Sequence, residues 1–492
     1  MALRKFAFNV AALSMARALQ TIASVAAIPL LARLLEPSEF GLLALAMPFV
    51  LFGMAVGDAG LGQSLVRVKQ SDTLVWSSAF WLIIGICTGL SAFVLVMALP
   101  VAWAFEQPAV ASVIAVLASV PLLQGLTTLP IADLQQREKF RTLAAVEVAS
   151  SLAALLSAVL LALGGAGVWA LVSQATLYWV VKAAILALTS PFRPAFKFQW
   201  SALEGHFTFS RDSAIGNLLS FFSRQIDPLV IGKLLGAAPL GLYTMANRIV
   251  VLPQQLLAAP AQNALYVKMV SLRHNRAALR DIVMISSLAV AILVFPPLLI
   301  AGAASNAFFH AFLSAKWGDG AVIFAVLAPV AAIQSISTLW VPMLLALEQT
   351  TLRLRIGIEL TVLWLLVLPF AAMHSVLAVA IAYAVVYCGY SFTRAFAAYL
   401  SPIGVKVREM AAELAAPIFV SVGAAIAHIA LVHAFQIGTW AEVALALAEM
   451  AAAIGLLVAL CWRRLRANVG QLRALFAGGA TLSEEGAQGV AD

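Results

Sequence analysis

The sequence predicts an all-α integral membrane protein with about fourteen transmembrane helices. Three observations predict it. Hydrophobic residues make up 63% of the chain and charged residues only 11%, and the mean hydropathy is +1.00. Apolar runs recur from residue 8 to residue 462 with no soluble domain between them, more apolar surface than a water-soluble fold can cover. The basic residues gather on one side of the membrane when the runs are read as spans.

About 20 mostly apolar residues are needed to cross a bilayer as a helix. Fourteen segments meet that length approximately: 8–32, 40–62, 76–104, 109–131, 143–163, 167–189, 208–235, 239–264, 282–302, 320–346, 356–373, 376–399, 412–434 and 440–462. Barrel strands would alternate polar and apolar residues, and Leu152 to Leu163 shows no alternation. The first segment follows Arg4 and Lys5 as a signal peptide would, but it is longer than a signal core and carries Arg17 and Gln20, so it reads as an uncleaved span. The last ends at Arg463, Arg464 and Arg466, and residues 467–492 read as a small, polar cytoplasmic tail.

Loop charge tests the count independently. With the N-terminus in the cytoplasm, 21 of the 30 Lys and Arg fall in cytoplasmic loops or termini. Only Arg33, Lys233 and Lys316 fall on the opposite side, and six lie within or at the edges of spans. This is the positive-inside pattern, and it places both termini in the cytoplasm. The net charge of +8 is explained by basic loops facing anionic lipid headgroups, with no nucleic acid needed. Cys87, Cys388 and Cys461 sit in apolar segments without metal or redox spacing and read as packing residues. Most of the tryptophans, Trp317 and Trp340 included, lie near span ends as interfacial belts do.

Several function classes are excluded. The external loops are short, the longest being about 303–319, and none gathers paired carboxylates, a Ser/His/Asp set or a phosphate-cradling glycine loop. The chain reads as a transporter rather than an enzyme, with no cofactor beyond a proton or sodium ion as candidate coupling ion. Without a P-loop, the energy comes from an ion gradient, the membrane potential or the substrate's own gradient.

A repeat recurs at a spacing of 200 residues. Arg33-Leu34-Leu35-Glu36-Pro37-Ser38-Glu39-Phe40-Gly41-Leu42 lies over Lys233-Leu234-Leu235-Gly236-Ala237-Ala238-Pro239-Leu240-Gly241-Leu242. Each copy is a span end, a tight external turn and a new span. Six spans separate the copies, so the repeats run parallel about an axis near the membrane normal. Two six-helix lobes around a central cleft follow, helices 1–6 in 1–200 and 7–12 in 201–402, with helices 13 and 14 appended in 403–466.

Four stretches carry a resemblance: the hairpin Pro29 to Gly41, Gly57-Asp58-Ala59-Gly60-Leu61-Gly62, Ser223 to Gly236 around Arg224-Gln225-Ile226-Asp227-Pro228, and Leu240 to Ile249. Through them the chain resembles the polysaccharide transporter (Wzx-type) flippases of the multidrug/oligosaccharidyl-lipid/polysaccharide exporter superfamily. The resemblance implies flipping of undecaprenyl-diphosphate-linked oligosaccharide repeat units across the bacterial inner membrane. The product would feed exopolysaccharide, capsule or O-antigen assembly. Its implied partners are that lipid-linked glycan, membrane lipids, and polysaccharide polymerase and export proteins.

Charge inside a bilayer is costly, so each intramembrane ionisable residue is a functional candidate. Arg224 and Asp227 share a helical face: they form an intrahelical ion pair, or Arg224 meets the diphosphate with its guanidinium fork while Asp227 holds it or takes up a proton. Arg17 with Gln20 and Arg248 with Asn247 lie on helices that head the two lobes, and either line the cleft or snorkel to an interface. Arg394, near the inner end of span twelve, completes the substrate-binding set. Asp58, Asp227 and Glu147 are the coupling or gating candidates, although Asp58 could cap its helix and Glu147 could pair with neighbours. Lys182 reads as snorkelling at a cytoplasmic helix end. The alternatives are a small-molecule or multidrug exporter of the same fold, a lipid II flippase, a membrane polymerase or ligase, and a structural scaffold.

Overall fold

A computed structural model of the chain describes residues 26–58, 73–203 and 225–488. Among the described residues every regular element is helical. We number the helices α1 (26–34), α2 (Pro37–Asp58), α3 (Thr73–Ala104), α4 (Pro108–Leu117), α5 (Val120–Gln136), α6 (Phe140–Leu163), α7 (Val168–Thr189), α8 (225–235) and α9 (Ala237–Pro253). After a π-helical turn at Gln254–Ala258 follow α10 (Ala259–Ser271), α11 (Arg276–Ala303), α12 (Gly318–Ala346), α13 (Thr350–Ala372), α14 (Val376–Tyr390), α15 (Val407–Glu413), α16 (Ala415–Phe435) and α17 (Thr439–Gln488).

Eleven helical segments among the described residues are long and apolar enough to cross a membrane, which makes the chain a multi-pass, all-α membrane protein. They coincide with eleven of the fourteen expected spans. The first and seventh expected spans run into residues outside those described, and the eighth is broken by the π-turn between α9 and α10. The tail differs from expectation: α17 continues to Gln488 instead of ending near residue 466.

The chain divides into two compact units, 1–244 and 245–492. The sequence expectation divides the lobes at 200; the structural division falls within α9, and the connection after α7 packs on the first unit. Ser77 and Ser78 of α3 accept hydrogen bonds from the backbone N–H groups of Ala195 and Gln199 at 3.0 and 2.9 Å, and the Trp81 indole donates to the Ala195 carbonyl at 2.8 Å. Ser190 donates to Asp133 at 3.1 Å. These bonds anchor the connection on the first unit and satisfy backbone groups that leave the helix.

The repeated hairpins lie against each other within that unit. A Cβ on Gly41 would overlap the Ala237 carbonyl oxygen, and a Cβ on Gly241 would overlap the Pro37 carbonyl oxygen. Residue 41 meets 237 and residue 241 meets 37, so the contact maps onto itself under the 200-residue shift, as in a two-fold pairing of similar parts. Glycine is required in both copies because two helix starts approach closely there. Glu39, in the first turn of α2, reaches back to accept the Glu36 N–H at 2.7 Å, with Pro37 at the first helical position. Lys233, the base leading the second copy, pairs with Glu106 at 3.0 Å.

In the second unit α11 is the central helix, packed by α12, α16 and α17. Trp317 and Trp340 are fully buried, against the expected interfacial place, and Trp340 donates to Ser287 at 3.1 Å. Trp103, Trp200 and Trp440 are exposed at helix ends, as an interfacial belt requires, and Trp462 is exposed along α17.

Candidate functional site

The first unit holds a cavity of about 420 Å³ walled by α2, α4, α5, α6 and α7. Met47, Leu51 and Met54 of α2 form an apolar side. The opposite side is polar and aromatic: Ser151 of α6 faces Gln174, Tyr178 and Trp179 of α7. Gln174 and Tyr178 are four apart on one helical face, so a single helix presents an amide, a phenol and an indole together. Tyr178 meets Trp179 edge to face with centroids 5.2 Å apart. The Ser151 hydroxyl is buried in this wall without a hydrogen-bond partner among the described residues.

Behind this wall sits an ion pair. Lys182 is buried and its Nζ lies 2.7 Å from Glu147 Oε1 and 3.0 Å from the Tyr178 hydroxyl. Tyr178 donates to Glu147 Oε2 at 2.6 Å. The Lys182 ammonium also lies 5.1 Å from the ring centroids of both Tyr178 and Trp179. Lys182 is therefore an interior residue and not the snorkelling one that its place near a helix end implied. Glu147, a gating candidate from sequence, is held by Lys182 and Tyr178. The pair is neutral as a whole, so the wall offers hydroxyl, amide and aromatic surface without net charge.

The second unit carries the same constellation at the same spacings. Tyr390 donates to Glu359 Oε2 at 2.6 Å, and Arg394 grips both Glu359 oxygens, Nε to Oε2 at 2.5 Å and Nη2 to Oε1 at 2.8 Å. Glutamate and tyrosine are 31 residues apart in both copies, and glutamate and base 35 apart. Each triad bridges two consecutive spans, 143–163 to 167–189 in one half and 356–373 to 376–399 in the other. Sequence reading graded these residues singly and missed the triad; the equal separations were the signal that could have found it. The copies differ in burial. The Lys182 side chain is 7% exposed, whereas that of Arg394 is 51% exposed and Arg355 adds a second base 2.9 Å from Glu359. Arg394 sits in a π-helical turn and is engaged by Glu359.

Of the other expected residues, Arg17, Gln20 and Arg224 lie outside the described residues. Asp58 ends α2, and its side chain is likewise outside the description. Asp227 accepts from the buried Tyr243 hydroxyl at 3.1 Å, a contact from α9 back to α8. Asn247 and Arg248 are exposed on α9, and Arg248 has no hydrogen-bond or ion-pair partner among the described residues. A second cavity, about 250 Å³ between α11, α12, α15 and α16, is lined by Phe295, Ile336, Trp340, Phe396, Leu414 and similar apolar side chains and gives a polar headgroup nothing to bind. No group of three or more His, Cys, Asp or Glu side chains is placed to hold a metal ion among the described residues.

Comparison with known proteins agrees with this geometry. Residues 30–322 match the model of a family described as "Polysaccharide biosynthesis protein". Similar proteins include the succinoglycan biosynthesis transport protein ExoT of Rhizobium meliloti, 27% identical over 61% of this chain and 61% of that protein. The teichuronic acid biosynthesis protein TuaB of Bacillus subtilis is 25% identical over 63% of this chain and 64% of its own length. The lipopolysaccharide biosynthesis protein WzxC of Escherichia coli is 22% identical over 62% and 63%. The chain thus spans somewhat over three fifths of the length of the curated relatives it matches. In fold it is similar to the lipid II flippase MurJ in an inward closed conformation, with a TM-score of 0.71 at 12% identity over 92% of this chain and 99% of that one. It is also similar to an inward-facing multidrug resistance MATE family transporter of the MOP superfamily, with a TM-score of 0.60 at 15% identity over 78% and 95%. The chain belongs to the polysaccharide biosynthesis protein family, within the Wzx-type polysaccharide transporters that its first hairpin resembles.

Proposed function

We propose that this protein flips polyprenyl-diphosphate-linked oligosaccharide repeat units from the inner to the outer leaflet of a bacterial inner membrane. It does so by alternating access in a fourteen-helix chain with both termini in the cytoplasm. The cavity of the first unit carries the reading. Its Trp179, Tyr178, Gln174 and Ser151 wall is the kind of surface that binds sugars: flat aromatic faces for the C–H side of a ring, and an amide and a hydroxyl for its alcohols. In this reading the charge for the diphosphate comes from Arg248 of α9, which has no partner among the described residues, together with the sequence candidates Arg17 and Arg224. Separate neutral and cationic subsites suit a cargo with a neutral glycan and an anionic linkage. The polyprenyl tail remains in lipid while the headgroup crosses.

Two parallel lobes support the rocking motion that alternating access requires. The reciprocal hairpin contact and the duplicated Glu–Tyr–base triad favour that internal symmetry. Deletion and complementation in a glycan-producing bacterium tests the function. The deletion strain should accumulate lipid-linked repeat units in the inner leaflet and lose surface polysaccharide, and the wild-type chain should restore it. Normal polysaccharide in the deletion strain together with new sensitivity to cationic drugs would instead assign the protein as a drug exporter.

A further inference from the structure

The last two membrane-crossing helices, α16 and α17, enclose a titratable cluster that the headgroup site does not use. His428 of α16 is completely buried. Its Nδ1 lies 2.7 Å from Glu449 Oε2, and its Nε2 lies 3.7 Å from Glu442 Oε1 and is buried without a hydrogen-bond partner. Glu442 and Glu449 are seven residues apart on α17, two turns on one face, so the imidazole sits between them. The carboxylates are only partly covered, with side-chain exposures of 17 and 16% against 1% for His428. No Lys or Arg among the described residues pairs with either carboxylate.

The charge count makes this more than a helix clamp. With a neutral imidazole, two carboxylates in a membrane-spanning helix pair would leave two uncompensated negative charges, which a bilayer interior penalises by several kcal/mol. A proton taken up by the cluster removes one of those charges. With Glu449 ionised, Nδ1 carries the hydrogen that Glu449 accepts, and Nε2 is the vacant base. A proton on Nε2 makes an imidazolium that donates to Glu449 through Nδ1 and, after a small rotation of Glu442, to Glu442 through Nε2. Nε2, buried and 3.7 Å from the Glu442 carboxylate, is placed to share a proton with it.

The elements packed against α16 add no competing charge. Around this level α11 contributes Ile300 and Ala304, and the one-turn helix after it contributes Phe308. The ionisable groups of α11, Arg276, Arg280 and Asp281, lie at its other end, about 19 residues or roughly 28 Å away along the helix. Arg280 there pairs with Glu409 at 3.1 Å, next to α15. On α16 itself, the ionisable neighbour is His433, in the last turn. His310 is on the segment that packs near the start of α17 and is exposed. On α17, Glu442 and Glu449 are the charged groups facing the imidazole.

We propose that His428, Glu442 and Glu449 form a proton-binding site between the last two spans and that the proton bound there is the coupling ion of the transport cycle. The coupling clause rests on the flippase reading. Glu442 is in the first turn of α17, on the external side in the proposed orientation, and so is the carboxylate that meets an incoming proton first. Water delivers the proton to the Glu442 carboxylate. It passes to the Nε2 lone pair, and the imidazolium so formed holds both carboxylates and tightens α17 on α16. Release toward the other side returns Nε2 to its vacant state, and no other bond changes.

Two readouts test this on the full chain in vesicles. With a one-unit pH step acidic on the external face, one coupled proton can shift the leaflet ratio of a lipid-linked oligosaccharide by about tenfold. Wild type should show that shift. Glu442→Gln, which keeps the His428–Glu449 bond, should still flip cargo down its own gradient but lose the shift, and His428→Gln should lose it too. A shift retained in both variants, or missing in wild type that flips, overturns the coupling. The second readout needs no transport. Infrared difference spectra between alkaline and acidic buffers should lose one imidazole transition in His428→Gln and show changed carboxylate bands in Glu449→Gln. Spectra identical to wild type overturn the site. A wild type that moves no lipid-linked oligosaccharide overturns the flippase reading, and the infrared result then decides the proton site alone.

Discussion

Replacing the base of each Glu–Tyr–base triad by methionine separates burial from chemistry, because the two copies share their bonds and differ in exposure. In Lys182→Met, Glu147 keeps the Tyr178 hydroxyl at 2.6 Å and loses the ammonium at 2.7 Å, while the side chain it faced was only 7% exposed. Breaking a buried pair by removing one partner costs about 3–5 kcal/mol. The surviving tyrosine bond offsets about 1 kcal/mol, so the expected loss is about 2–4 kcal/mol, or roughly one and a half to three orders of magnitude in the folding equilibrium. The double variant Lys182→Met with Glu147→Gln removes both charges and should recover most of that loss. Arg394→Met should change stability far less, because Arg394 is half exposed and Arg355 remains beside Glu359 at 2.9 Å. Thermal unfolding of the purified variants in nanodiscs reads all three. Equal losses for Lys182→Met and Arg394→Met, or no recovery in the double variant, would refute the argument that burial sets the strength of the triad.

Three further outcomes follow from the same contacts. Gly41→Ala and Gly241→Ala should each destabilise by about 1–3 kcal/mol, because the new methyl meets a backbone carbonyl that cannot move aside. Gly89→Ala, with nothing near its Cβ, should stabilise by about 0.5–1 kcal/mol, and melting curves compare the three. Arg248→Ala should leave stability within about 0.5 kcal/mol of wild type, since no partner is orphaned, yet cut export of lipid-linked glycan at least tenfold in a surface-polysaccharide assay. Trp179→Ala should raise the apparent KM for glycan-bearing cargo about tenfold while sparing a polyprenyl diphosphate without sugars, measured by vesicle flipping of both.

The fold was largely legible because the bilayer restricts the answer. A run of about 20 apolar residues has one spanning conformation available, and loop charge checks the order of runs. Thus 143–163, 167–189 and 320–346 return as helices within a few residues of the expected ends. The 200-residue repeat was legible too, and the Gly41–Ala237 and Gly241–Pro37 contacts give its physical reason. The anchoring of the connection after α7 was not, because Ser77 and Ser78 bind it from more than 110 residues away. The pairings of Lys182 and Arg394 were hidden for a similar reason. Helix periodicity relates residues three or four apart, whereas these partners lie 35 apart across a turn. His428 looked like one scattered histidine until α17 brought Glu442 and Glu449 to its two nitrogens.

The most direct test of the central claim is flipping by the purified chain in vesicles, with a lipid-linked oligosaccharide in one leaflet and a membrane-impermeant probe of its sugar in the other compartment. The account predicts protein-dependent appearance of the glycan in the second leaflet, slowed at least tenfold by Arg248→Ala. A glycan that stays in its original leaflet while the same vesicles transport a small cationic compound would contradict it.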